Sequence, residues 1–188
     1  MRGTRPGSPL ADIGFNLMMT DLLKDLQAAL MENEDFCTGA AALGTCVPPI
    51  AWMDDIAVSL ATVSSHQLTT LIKYTIAAAH TAFRARGLSM NLDSGKTELV
   101  VMFRGEGAAQ CRSEMFDKDD APLVITTTDS HVISVRVAAS YRHLGVRFAM
   151  NLDFDKEIIA RLGAARQAFE QMKKPLFLNR SEERRVGK

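Results

Sequence analysis

Two adjacent carboxylates, Asp54 and Asp55, interrupt an otherwise apolar run, Pro49-Ile50-Ala51-Trp52-Met53-Asp54-Asp55-Ile56-Ala57-Val58. Like charges held this close resist joint ionisation. The short hydrophobic stretches on either side make the pair hard to read as ordinary solvated surface. A divalent cation resolves the conflict, because hard carboxylate oxygens suit magnesium and the substrate phosphates it carries. The pattern reads as strand, tight turn, strand, with the carboxylates at the tip. A plain surface hairpin accounts for this window equally well, since Asp is a common turn residue. The remainder of the chain has to separate the two.

One other phosphate-binding pattern fails on inspection. Ser94-Gly95-Lys96-Thr97 ends like a P-loop, but Met90 stands where that motif needs its first glycine. A helix must also follow the Lys-Thr, whereas Glu98 to Phe103 has the composition of a strand.

The elements that must position these residues follow from composition and periodicity. At 188 residues, 47% hydrophobic and 23% charged, the chain is an ordinary globular one. No apolar run reaches bilayer length and no signal peptide opens it. An intracellular protein without a membrane partner, nuclear or cytoplasmic, is the expectation. Cys37, Cys46 and Cys111 are odd in number and lack paired spacing, which argues against a disulfide framework or a zinc site. Net charge is zero, yet it is unevenly distributed. Residues 1–60 carry three Lys/Arg against eight Asp/Glu, and residues 141–188 carry eleven against six. An acidic first third and a basic last third suit a metal centre followed by a phosphate-tracking segment. Chance clustering of surface charge remains the competing explanation.

A Gly/Pro-rich loop from Arg2 to Pro9 precedes a helix with Phe15, Met18, Leu22, Leu26 and Leu30 on one face. Thr38 to Pro49 reads as a loop or an extended approach to the hairpin. Ser64 or Ser65 caps a second helix that buries Leu68, Ile72, Ile76, Ala79 and Phe83, with Gly87 at its left-handed end. Leu88–Leu92 and Glu98–Phe103 read as strands around the turn Asp93-Ser94-Gly95, and residues 104–121 as a loop. Leu123–Thr126 and Val132–Val137 form a hairpin, and an extended segment begins at Tyr141. A last helix from about Asp153 to Lys173 turns Ile158, Leu162, Ala165, Phe169 and Met172 inward and stops before Pro175. This order is that of an α+β fold.

Five windows, in order, resemble the palm of a reverse transcriptase of the non-LTR, LINE-like retrotransposon family. They are Gly3-Thr4-Arg5-Pro6-Gly7-Ser8-Pro9-Leu10 with Phe15-Asn16, then Trp52-Met53-Asp54-Asp55, then Gly87-Leu88-Ser89-Met90-Asn91 with Lys96-Thr97-Glu98, then Tyr141-Arg142-His143-Leu144-Gly145, and the helix from Asp153. The resemblance implies a partial polymerase palm, an antiparallel sheet with packed helices, over residues 1–150. Residues 151–180 would begin an α-helical thumb. It implies RNA-directed DNA polymerase activity, a nucleotidyl transfer to a primer 3′-OH with two Mg2+ ions held by Asp54 and Asp55, Asp54 being the better direct ligand. Lys96 would protonate or pair with the departing pyrophosphate; an exposed turn lysine is an equal alternative. Arg5, Gly7, Ser8, Pro9 and Asn16 would lie against nucleotide and template, and Tyr141, Leu144 and Gly145 against the primer end. The implied partners are an RNA template, a DNA primer and deoxynucleoside triphosphates.

Pro6 stands where this family usually carries glutamine, and Ser8 where it often carries cysteine. The family's other essential Asp lies on an earlier palm strand, before the Gly-rich loop at which these residues begin. Asp12, Asp21 and Asp25 fall in or beside the first helix and do not replace it. The expectation is therefore a fragment lacking the fingers and first palm strand, with little activity of its own. Arg180 to Lys188 resembles an adapter-derived run, and residues 181–188 are read as an artefactual or disordered tail. The alternative to the enzyme is a non-catalytic reverse-transcriptase-like remnant that binds nucleic acid or a protein partner.

Overall fold

The structure, a computed structural model, describes residues 9–52, 55–116, 122–127, 131–143, 146–149 and 154–173. Among these, five helices and seven strands form a mixed α+β architecture. The chain divides into two compact units, residues 1–138 and 139–188.

In the first unit, α1 (Pro9–Met31) starts on a proline, which suits a position whose N–H would be unpaired anyway. Its face Leu22, Leu26 and Leu30 is fully buried, and Phe15 and Met18 are half-buried. A second helix, α2 (Glu34–Leu43), takes up the first half of the stretch from Thr38 to Pro49 expected to be a loop or an extended approach. The small residues Gly39, Ala40, Ala41 and Ala42 suggested a loop, but alanine is the best helix former. Asn33 caps this helix by accepting from Phe36 N at 3.1 Å. At the other end Gly44 takes a φ of 67° while Thr45 N donates to Ala40 O at 3.1 Å, a left-handed stop.

The central element is α3 (Ser65–Ala85). Ser64 Oγ accepts from Gln67 N at 3.3 Å and donates to Gln67 Oε1 at 2.9 Å, pairing the cap with the third helical residue. At its end Gly87 N donates to Arg84 O at 2.9 Å and Leu88 N to Phe83 O at 3.0 Å, with Gly87 in the expected left-handed conformation at φ 69°. The helix is buried on two sides rather than one. Ile72 and Ile76 join a cluster with Val101, Phe103, Cys111, Ile125, Ile133 and Val135. Leu71 joins a second cluster with Leu26, Leu30 and Phe36. Leu68, Ala79 and Phe83, expected on the same buried face, are only half-buried. Replacing Ser64 by alanine is expected to cost about 1 kcal/mol, read as a lower urea midpoint at unchanged slope.

On one side of α3 lies a three-stranded sheet in the order β3 (Glu98–Leu99), β5 (Val132–Val137), β4 (Leu123–Thr126). The expected β4–β5 hairpin is present, antiparallel with Ile125 opposite Ile133. β3 pairs with β5 in parallel, through Glu98↔Arg136 and Leu99↔Val137, so this sheet is mixed. The strand expected over Glu98–Phe103 shrinks to two residues, although Val101 and Phe103 still bury alternately. Leu88–Leu92 is not a strand, because Leu88 closes the α3 cap and Asn91 Oδ1 accepts from Asp93 N at 3.1 Å. Within the expected 104–121 loop, α4 (Ala108–Phe116) forms and buries Cys111 and Met115, an i, i+4 pair hidden among polar neighbours.

The second unit contains β6 (Ser140–His143) paired antiparallel with β7 (Val146–Ala149), and α5 (Asp155–Lys173). The expected inward stripe of α5 is instead exposed: Ile158, Leu162, Phe169 and Met172 are each more than half exposed, and Ala165 is exposed as well. The periodicity is that of an apolar face, but no described element of the second unit covers it. Residues 174–188, which include Pro175 and the expected tail, lie outside the described residues.

Candidate active site

A minimal hairpin carries the paired carboxylates. β1 (Ile50–Trp52) and β2 (Asp55–Ala57) run antiparallel with Ile50↔Ala57, Ala51↔Ile56 and Trp52↔Asp55 as partners. The strands are therefore joined by residues 53 and 54. Met53 and Asp54 themselves lie outside the described residues.

Side chains of directly opposed residues share one face of a sheet. One face thus presents Ile50, Trp52, Asp55 and Ala57, and the other Ala51 and Ile56. On the first, Ile50 is 57% and Trp52 61% exposed and Asp55 is exposed, while Ala57 is half-buried. Ala51 and Ile56 are half-buried, and β1 packs against α1. Pro49 is buried at the entry. At the exit, Val58 and Leu60 pack on the Leu26–Leu30–Phe36–Leu71 cluster. The hairpin is gripped at its base.

The remaining expected site residues are dispersed. Asn16 is exposed on α1, its carbonyl accepting from Thr20 Oγ1 at 2.8 Å. Pro9 is the first residue of α1. Arg5, Gly7 and Ser8 lie outside the described residues. Tyr141 is half-buried on β6 of the second unit, where its strand partner is Phe148. Leu144 and Gly145 follow β6 and lie outside the described residues.

Lys96 sits exposed in a tightly organised turn. Its N–H donates to Asp93 O at 3.0 Å, Gly95 N donates to Glu98 Oε1 at 3.0 Å, and Gly95 takes a φ of 79°. Arg136 Nη1, from β5, donates to Ser94 Oγ at 2.7 Å and lies 3.5 Å from Glu98 Oε1, whose side chain is only 6% exposed. Reading the sequence missed this staple. A glutamate opening an apolar strand was the available signal, because a buried carboxylate needs a partner. Which cation supplies it depends on the β3–β5 pairing.

Among the described residues, no group of three or more His, Cys, Asp or Glu gathers to hold a metal ion. Asp55 offers exposed carboxylate oxygens, the donor type magnesium takes, and magnesium characteristically binds through one or two carboxylates plus phosphates and water. The donor chemistry of the hairpin therefore fits one such ion shared with a substrate. No described helix is long and apolar enough to cross a membrane. Comparison of the chain with family models, with curated proteins and with solved structures finds no match.

Proposed function

We propose that this chain is part of an RNA-directed DNA polymerase of a retroelement, a palm with the start of a thumb, in which the β1–β2 hairpin is the catalytic one. The observation that carries the reading is the register Trp52↔Asp55. It makes a carboxylate the first residue of the returning strand and leaves its neighbour Asp54 in a two-residue connection. In this reading Asp54 and Asp55 would hold magnesium, which when bound stabilises negative charge on the attacking 3′-oxygen and the departing pyrophosphate. The hairpin's anchored base would keep the carboxylates in place, and the exposed Trp52 and Asp55 leave room for a primer end to approach. Lys96, on its stapled turn, would carry charge to the pyrophosphate. Asn16 and the start of α1 would lie under the nucleotide and template, and Tyr141 against the primer.

Primer extension on an RNA template tests the reading. These 188 residues lack the family's third carboxylate, so little or no magnesium-dependent DNA synthesis is expected from them. Appending an Asp-bearing palm strand and fingers from a related polymerase is expected to raise synthesis at least tenfold, a change equivalent to about 1.4 kcal/mol in the barrier. Robust synthesis by the short chain would contradict the incomplete-site argument. Binding of primer–template with no magnesium response in either form would favour a non-catalytic remnant.

A further inference from the structure

We draw no further inference here: the strongest candidate, the thiol–imidazole pair of Cys111 on α4 and His66 at the start of α3, with Sγ 3.5 Å from Nδ1, rests on one cysteine that is 1% exposed within the core cluster beside α3, and nothing among the described residues points to a ligand, substrate or metal for it.

Discussion

Replacing Gly39 by alanine is expected to destabilise the first unit by about 2 kcal/mol, although the same change in an open helix stabilises. A Cβ built on Gly39 meets Ala61 O at 1.9 Å, Ala61 C at 2.7 Å and Thr62 Cα at 3.1 Å. These are backbone atoms, so no side chain can swing away. Either α2 retreats from a cluster in which Phe36 is 4% exposed, or the Ala61–Thr62 segment moves. That segment joins β2 to the Ser64 cap, and Thr62 Oγ1 donates to Ser64 O at 2.8 Å. Overpacking of this kind costs roughly 3 kcal/mol at its upper range, against about 1 kcal/mol gained from alanine's helix propensity. The steric term wins. Gly14 in α1 is the control: nothing lies within 4 Å of its built Cβ, so Gly14→Ala should stabilise by up to about 1 kcal/mol. Urea unfolding of the two variants checks both signs. Similar stabilisation by both substitutions would mean that α2 does not contact the strand exit.

The second large effect concerns the carboxylate pair. In thermal unfolding, magnesium with a deoxynucleoside triphosphate and primer–template is expected to stabilise the chain, and Asp54→Ala or Asp55→Ala to remove that gain. A ligand at 100 times its dissociation constant contributes about 2.7 kcal/mol, so the loss can approach that figure. Without ligand the sign should be neutral or reversed. Asp55 is exposed, and removing one of two adjacent like charges relieves repulsion, a change within about 0.5 kcal/mol at a surface site. A variant weakened equally with and without ligand would point to a structural turn instead. A response to magnesium alone, with no nucleotide or primer effect, would indicate a generic cation site.

How much of this was legible in advance differs from element to element. α1 and α3 declared themselves by long apolar periodicity, and Ser64 and Gly87 marked the ends of α3 through backbone needs that few residues meet. The β4–β5 hairpin was equally plain from its β-branched runs. By contrast, α4 and the part of α2 from Thr38 onward fall in stretches read as loops. Each is short, and each buries only two residues or so among small or polar ones, so periodicity carried little signal. For the site, the hairpin was visible because its two-residue connection is encoded locally. The staple on the Lys96 turn was not, since Glu98 and Arg136 meet only once β3 lies beside β5.

By itself the sequence determined the α+β order, the caps and the short β1–β2 hairpin whose returning strand opens at Asp55, all features set by neighbouring residues along the chain. Tertiary structure decided which faces those elements bury. α3 is enclosed on two sides because two separate clusters need its surface, Glu98 is buried because a distant arginine answers its charge, and the apolar stripe of α5 stays exposed. An apolar periodicity states that a face seeks burial; only the arrangement of the other elements determines whether it is found.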